Sequence, residues 1–338
     1  MPPFNVFDWI SQELRTWLLI NGETVPVQSD QVLIKEGEHC SNPMLLLSGR
    51  LIVTTSNLQN RQDQVAILTA GSMVGEMSWL EQRPAVATIT TSGACTVLQL
   101  SPQKLEQLIK EQPLMAAQLY RVIAQKLAVQ IQGQNAWTHR LQTDHSPLEA
   151  LRKVLTLFAT LQERDMFTLS RLGRVHCVQP QTVLLNQGDE VKAVYLVLSG
   201  EAEILFTLEG RTQLVGSSRR GEFLGEMTLL LSDQQGATAG VHSALGMDLL
   251  AIELSDLRAE VEQNPALGSR FYKGLACMLS QRSRDQLLSH QRAALSQQAE
   301  QENVDCLDVD QLESITRASR YFDWLCRHFQ QRGEPATL

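Results

Sequence analysis

The sequence predicts a mainly β protein with helices, in which one β-rich domain occurs twice in tandem. Two observations lead to this fold class. A block of short apolar runs separated by glycine-containing turns recurs after about 150 residues. Each copy of the block is followed by apolar residues at helical spacing. A chain of 338 residues is long enough for two such domains and a C-terminal segment.

The repeat is visible in two pairs of segments. QVLIKEGEHCSNPMLLLSGRLIV (residues 31–53) parallels TVLLNQGDEVKAVYLVLSGEAEI (182–204), and AGSMVGEMSWL (70–80) parallels RGEFLGEMTLL (220–230). Because the period is the size of a domain, we interpret it as a tandem duplication and not as a solenoid. The matched residues of the first copy, Gly37, Gly49, Gly75, Glu76 and Thr88, recur as Gly188, Gly200, Gly225, Glu226 and Thr238.

Strand signals dominate the first part of each copy. Short apolar runs such as MLLLSGRLIVTT and VYLVLSGEAEILF are broken at Ser-Gly, which predicts several short strands in a sandwich or barrel. Gly49 and Gly200 lie between two apolar runs. We expect them to provide a positive φ or a close backbone approach at a hairpin.

Helical signals follow each β region. In the first copy a helix is predicted to begin at Ser101-Pro102, a hydroxyl N-cap followed by a proline. In the second copy Ser255 is the predicted cap, and Pro265 divides the segment into two helices. One apolar stripe suits either packing on its own β domain or the seam of a homodimer, and it consists of Leu119, Ile123, Leu127 and Ile131.

The predicted organisation is a first domain at 1–132, a linker at 133–147, a second domain at 148–287 and a helical tail at 288–338. The tail contains apolar residues that form one face of a final helix. This face either binds a partner protein or folds back on a β domain. Its residues are Leu312, Ile315, Phe322, Leu325 and Phe329.

Composition narrows the class of protein. The net charge of −8 and the pI of about 5.5 argue against a nucleic-acid-binding function. The six cysteines show no CxxC spacing, so we expect reduced thiols of a cytoplasmic protein and no metal site. No long uninterrupted apolar run occurs, so no membrane span is expected.

The turns Gly37-Glu38 and Gly188-Asp189, the Ser-Gly strands, the two GEM segments and the closing Ala-Thr pairs together resemble the cyclic nucleotide-binding domain. This family includes the catabolite activator protein, regulatory subunits of cAMP-dependent protein kinase and cyclic nucleotide-gated channels. The resemblance covers roughly residues 7–132 and 148–284. It implies that each copy is an eight-stranded, jelly-roll-like double-stranded β-helix with flanking helices. The last helix of each copy would act as a lid or a dimerisation stalk.

The resemblance also implies a ligand site. In the family a Gly-Glu pair opens a cassette whose backbone N–H groups face the cyclic phosphate, and its glutamate accepts a hydrogen bond from the ribose 2′-OH. Glu76 and Glu226 match this glutamate. The family's phosphate-binding arginine follows roughly nine residues later. In this sequence the residues nine and ten positions after Glu76, and nine and ten positions after Glu226, are not arginine. The candidate ligand-binding residues are Gly75, Glu76, Met77, Arg83, Ala85, Val86, Gly225, Glu226, Met227, Gln235 and Gly236.

Two roles are open for the paired glutamates: a ribose ligand, or a carboxylate that stabilises the start of a helix. Three functions follow. The expected one is a non-enzymatic regulatory or scaffold protein that lacks the phosphate-binding arginine in both domains and acts through protein contacts. An alternative is a cyclic nucleotide sensor in which Arg83 meets the phosphate. A transcription regulator is disfavoured because the tail shows no basic recognition helix. No cofactor is certain, and a cyclic nucleotide is the candidate ligand.

Overall fold

The structure is a computed structural model that describes residues 4–56, 62–135, 156–208, 210–231, 236–293, 309–332 and 336–337. Contacts divide the chain into two units. Unit 1 comprises Met1–Val129 with Leu279–Glu302, and unit 2 comprises Gln130–Met278 with Asn303–Leu338. Each unit contains one copy of the repeat.

Unit 1 contains two four-stranded antiparallel sheets, ordered β1-β8-β3-β6 and β2-β7-β4-β5. Strands β3 and β4 meet at Gly49, whose φ of 94° fulfils the expected positive dihedral angle. The strands are β1 (Glu23–Val27), β2 (Val32–Ile34), β3 (Met44–Ser48), β4 (Arg50–Ser56), β5 (Gln62–Thr69), β6 (Met73–Val74), β7 (Thr88–Thr91) and β8 (Cys95–Gln99).

The core of this roll lies between the two sheets, as alternating strand residues require. It contains Val27, Met44, Leu46, Leu51 and Val97, and all of these are buried. Because both sheets contribute apolar side chains, the eight strands form the β-roll that the sequence predicts.

Helices flank the first roll. They are α1 (Gln12–Asn21), α2 (Glu76–Glu81), α3 (Pro102–Glu111) and α4 (Pro113–Asn135). The predicted start of α3 is confirmed, because Ser101 is the N-cap and its hydroxyl accepts a hydrogen bond from the Lys104 N–H at 3.3 Å.

Unit 2 repeats the roll with a continuous long strand in place of β3 and β4. One part of β11 pairs with β15 and β13, and the other part pairs with β12 and β14. Gly200, with a φ of 80°, lies within this strand. The strands are β9 (Arg174–Val178), β10 (Thr182–Leu185), β11 (Ala193–Leu208), β12 (Arg211–Arg219), β13 (Phe223–Leu224), β14 (Gly240–Ser243), β15 (Met247–Glu253) and β16 (Ala336–Thr337).

The helices of unit 2 confirm one prediction and correct another. Pro265 does begin a second helix, as predicted. The cap at Ser255 was wrong, because the helix begins at Leu254 after Glu253 and places Ser255 in its first turn. The helices that follow the linker are α5 (Glu163–Leu172), α6 (Glu226–Leu230), α7 (Leu254–Gln263), α8 (Pro265–Ala293) and α9 (Val309–Arg332).

Part of the apolar face of α9 packs within unit 2, which favours the second of the two predicted roles of this face, folding back on a β domain. Phe322 and Leu325 are buried. The ring of Phe322 packs edge-on against Phe158, and the Arg220 guanidinium lies 4.9 Å from its centroid. Phe329 is half-buried. The side chains of the other two predicted contact residues lie outside the described part, and they are Leu312 and Ile315.

The apolar stripe of α4 is also occupied within the chain. Leu119, Ile123, Leu127 and Ile131 are all at least nine-tenths buried without a second copy. This corrects the proposed homodimer seam and leaves packing within the chain as the alternative that holds.

The predicted domain boundaries stay a prediction. Contacts assign residues 279–302 to unit 1, whereas the sequence placed residues up to 287 in the second domain. The difference arises because the later part of α8, which includes Ser280 and Arg284, contacts Glu81 of α2. Helix α4 reaches Asn135, and most of the predicted linker lies outside the described residues.

Candidate functional site

The cassette of unit 1 begins at a glycine that no other residue replaces without strain. Gly75 caps α2 with a φ of 80°, in the left-handed region. A Cβ atom at this position would lie 2.7 Å from the Cys40 Sγ atom. The glycine therefore fixes the backbone that presents Glu76 and the half-buried Met77.

The carboxylate of Glu76 is already paired. Its side chain is 2% exposed, and the Lys126 ammonium group of α4 donates a hydrogen bond to its Oε1 atom. Burial is the main cause that raises the pKa of the neighbouring Cys40 thiol, and the negative charge of Glu76 contributes in the same direction. Lys126 of α4 thus provides a hydrogen-bond partner for Glu76, the residue that matches the ribose-binding glutamate of the family.

The position that matches the family's arginine is part of the roll's packing. Ala85 is half-buried against the core of unit 1, and Val86 beside it is also half-buried. Arg83, the nearest cation in the sequence, has its Nη1 atom 3.8 Å from the Glu81 carboxylate. The side chain of Arg83 is 28% exposed, so it lies at the margin of the cassette.

Glu81 is a buried residue of the candidate site that sequence reasoning missed. Its side chain is 1% exposed, and the carboxylate accepts hydrogen bonds from the Ser280 hydroxyl and from the Arg284 Nε atom. Arg284 also donates from Nη1 to the Pro84 carbonyl at 2.9 Å. These partners lie 199 to 203 residues away in sequence, so no local sequence pattern predicts the contacts.

The cassette of unit 2 opens with the same backbone and has a different polar content. Gly225 caps α6 with a φ of 79°, and Glu226 is 3% exposed. Met227 is half-buried. The Arg258 Nη2 atom donates to the Thr228 carbonyl at 3.1 Å, which joins α7 to α6.

The structure corrects the register of the second cassette. In unit 1 the Gly37 N–H donates to the Ala85 carbonyl at 2.9 Å, and in unit 2 the Gly188 N–H donates to the Ala237 carbonyl at 2.8 Å. The return bonds from Ala85 to Glu38 and from Ala237 to Asp189 agree. Ala237 is therefore the equivalent of Ala85, and the predicted match of Thr88 with Thr238 was wrong.

The physical reason is a longer loop between α6 and β14. Thr88 pairs with Thr54 in unit 1, while Gly240 pairs with Leu205 at the equivalent ladder position of unit 2. The Ala-Thr pair of this loop lies before the position that is equivalent to Thr88, so an alignment without the extra loop residues looked complete. Gly236, with a φ of 61°, lies next to Gly188, and Gln235 lies outside the described residues.

Aromatic side chains join the first cassette to its helix. The rings of Trp79 in α2 and Tyr120 in α4 are stacked with centroids 5.9 Å apart and an interplanar angle of 10°. Tyr120 is almost completely buried. The two rings and the Lys126–Glu76 pair therefore hold α4 against the cassette at two points.

Two other kinds of site find no support among the described residues. No group of three or more histidine, cysteine or acidic side chains is placed to hold a metal ion. Among the helices of the same described part, none combines the length and apolar character needed to cross a membrane.

Comparison with known families now identifies the class. Residues 24–112 and 175–264, together more than half of the chain, match the cyclic nucleotide-binding domain. The chain therefore belongs to the cyclic nucleotide-binding domain family, and it contains two such domains in tandem. The two matched segments cover the two β-rolls and their cassettes.

Curated relatives are distant and longer. Patatin-like phospholipase domain-containing protein 7 of Rattus norvegicus is 20% identical over 246 residues, which are 72% of this chain and 16% of the relative. The cAMP-dependent protein kinase regulatory subunit of Mycosarcoma maydis is 22% identical over 174 residues, 52% of this chain and 28% of the relative. The chain thus spans less than a third of the length of either relative.

Solved structures with a similar fold include a regulatory subunit of a cAMP-independent protein kinase A from Trypanosoma brucei. It is 14% identical, the match covers 78% of this chain and 89% of that one, and the TM-score is 0.29. The catabolite activator protein of Thermus thermophilus is 19% identical, with 52% of this chain and 75% of that one covered and a TM-score of 0.35.

Proposed function

We propose that the protein is a non-enzymatic regulatory protein whose two cyclic nucleotide-binding domains act through protein contacts and do not bind cyclic nucleotides tightly. The observation that carries this proposal is the Lys126–Glu76 ion pair. Lys126 occupies one oxygen of a carboxylate whose side chain is only 2% exposed, so a ribose hydroxyl would have to reach the other, buried oxygen or displace the lysine. Breaking such a pair costs about 3–5 kcal/mol when one charge is left uncompensated.

The phosphate side of the site supports the same conclusion. Alanine stands at both equivalent positions, 85 and 237. A charge-assisted hydrogen bond contributes about 1.5–3 kcal/mol, and a factor of ten in affinity corresponds to about 1.4 kcal/mol. Loss of the arginine alone therefore weakens binding by roughly one to two orders of magnitude.

The regulatory role rests on the class of domain. Cyclic nucleotide-binding domains match both rolls, and one relative is named a regulatory subunit of a protein kinase. The proposal that the chain is not an enzyme rests on its motifs, because no P-loop, nucleophile elbow or paired-carboxylate pattern occurs in the sequence. The phospholipase named among the relatives is matched over only 16% of its length.

Calorimetry on the full chain tests the proposal. We expect no heat of binding from cAMP or cGMP at micromolar concentration. Introducing Ala85→Arg or Ala237→Arg should raise affinity for cAMP by about tenfold or more in the changed domain, because a planar guanidinium can hold two phosphate oxygens.

The matched control is Ala85→Lys, which adds the same charge without the planar fork and should give the smaller gain. Micromolar binding of either nucleotide by the unchanged protein would contradict the proposal. Equal gains from arginine and lysine would mean that the added charge acts only through long-range attraction.

A second candidate function is a cyclic nucleotide sensor, and one observation favours it. Both cassettes keep a glycine of positive φ followed by a buried glutamate, the backbone that the ligand site of the family uses. In this case the ligand would reach the second Glu76 oxygen or release Lys126 from Glu76, and it would select an arrangement in which α4 has moved.

A further inference from the structure

The loop that closes the first cassette is held by an arginine and not by an anion. Arg284 of α8 donates from Nε to the Glu81 Oε2 atom at 2.7 Å and from Nη1 to the Pro84 carbonyl at 2.9 Å. The two acceptors lie at the two ends of the turn between α2 and Ala85. One planar guanidinium therefore bridges the whole turn, a task that suits its fixed fork of donors.

A serine on the same helix, Ser280, also binds the Glu81 carboxylate. The Ser280 hydroxyl donates to the other carboxylate oxygen of Glu81, so both oxygens are occupied. Ser280 and Arg284 are four residues apart on one helix and therefore lie on the same face. The side chains of Glu81 and Arg284 are 1% and 5% exposed, which gives these hydrogen bonds a low-dielectric surrounding.

Unit 2 supplies an internal comparison. Leu231 follows Gly225 at the same distance as Glu81 follows Gly75, and Leu231 is buried. The second cassette therefore has an apolar residue where the first has the acid. The two cassettes open with the same Gly-Glu backbone, but α6 ends at Leu230, one residue before the position of Leu231, whereas α2 includes Glu81; the acidic site therefore belongs specifically to unit 1.

We propose that the cassette of unit 1 is a guanidinium-binding site that recognises a helix carrying a serine and an arginine four residues apart, and that Ser280 and Arg284 are its resident ligand. The site has the opposite polarity from a phosphate site: its side chain is an acid, and alanine stands where the family has its arginine. The proposal rests on the proposed function and names the kind of protein contact that the first domain makes.

Chemical rescue in the full chain tests the site. Arg284→Ala should raise the hydrogen-exchange rates of amides in α2 and in residues 279–288 by about 10- to 100-fold, because the buried Glu81 carboxylate loses its nearest cation and keeps the Ser280 hydroxyl and, at 3.8 Å, the Arg83 guanidinium. Methylguanidinium at millimolar concentration should reverse most of this increase. Methylammonium, which has the same charge but no planar fork, should reverse much less.

Three variants provide controls. Arg211→Ala removes an exposed arginine of β12 and should leave these rates unchanged. Glu81→Leu with Arg284→Met, which copies the apolar residue of unit 2, should restore much of the protection and abolish the response to methylguanidinium. If Arg284→Ala does not fold, Arg284→Lys should show a smaller increase that methylguanidinium does not reverse.

Unchanged exchange in Arg284→Ala, or equal rescue by the two cations, would overturn the inference. Its failure is distinct from failure of the proposed function. Micromolar binding of cAMP to the unchanged protein would contradict the proposed function, whereas the rescue experiment contains no nucleotide.

Discussion

Among single residues, Gly75 and Gly37 show two different reasons why a position requires glycine: a positive φ and a lack of space for a Cβ atom. Their φ angles are nearly equal, at 80° and 82°. A Cβ atom at Gly75 would collide with Cys40, whereas one at Gly37 would meet nothing within 4 Å. Gly37 therefore reports the cost of the dihedral angle alone, and Gly75 reports that cost plus crowding inside the cassette.

We expect Gly75→Ala to lower the free energy of unfolding by roughly 2–4 kcal/mol and Gly37→Ala by only roughly 1–2 kcal/mol. Urea titration of both variants measures the difference. Adding Cys40→Ala to Gly75→Ala should recover part of the loss, because it removes the atom that the new methyl group meets. Equal losses in the two single variants would show that the contact with Cys40 relaxes freely.

Single residues also mark the limit of sequence reasoning about the site. The pattern correctly indicated glycines of positive φ at Gly49 and Gly200. It gave no sign of Lys126 or Arg284, because these residues reach Glu76 and Glu81 across 50 and 203 residues. The charge balance of the cassette is set by such distant contacts, so it emerged only from the folded chain.

Between elements, the two units differ in how the helix before the roll is joined to the long helix after it. In unit 1 the Ser11 hydroxyl donates to the Gln118 amide oxygen at 2.8 Å, which joins the start of α1 to α4. In unit 2 Arg270 of α8 forms two hydrogen bonds of 2.6 and 2.7 Å with Asp165 of α5. Asp165 is fully buried, so unit 2 has replaced a neutral pair by a charged one.

Breaking these contacts should have unequal effects. We expect Arg270→Gln to destabilise unit 2 by about 3–5 kcal/mol, because the buried Asp165 carboxylate loses its cation. Gln118→Ala should cost unit 1 only about 0.5–1.5 kcal/mol. Hydrogen exchange resolves the two units separately, and a loss in Arg270→Gln as small as that in Gln118→Ala would contradict the expectation.

The elements themselves were largely predictable. Ser101-Pro102 and Pro265 define helix starts through local backbone chemistry, and the repeat located both rolls. The prediction for Ser255 was wrong because the preceding strand runs directly into the helix, so that the last strand residue, Glu253, occupies the N-cap position. The second cassette was aligned wrongly because the Ala-Thr pair of its longer loop lies before the position that is equivalent to Thr88.

For the molecule as a whole, α9 is a constituent of unit 2. Phe322 packs against Phe158, and Arg220 reaches both the Phe322 ring and the Asp323 carboxylate, the latter at 2.9 Å. Trp324 packs edge-on against Phe167. The described part of this apolar face thus packs within unit 2, chiefly against helical residues that precede the roll.

We expect Phe322→Ala to release α9 from unit 2. Truncating a buried phenylalanine costs about 3–5 kcal/mol, so the amides of α9 should exchange at least 100-fold faster. Arg320→Ala, at an exposed position on the same helix, is the matched control and should leave exchange unchanged. Full protection in Phe322→Ala would show that the remaining contacts suffice.

The stacked rings of Trp79 and Tyr120 give the first domain an intrinsic optical reporter. Their separation of 5.9 Å permits efficient transfer of excitation from tyrosine to tryptophan. The chain has five tryptophans, and replacing the other four, Trp9, Trp17, Trp137 and Trp324, by phenylalanine leaves Trp79 as the single tryptophan emitter. Any ligand or partner that draws α4 from the cassette would then change emission at this one site, without an attached dye.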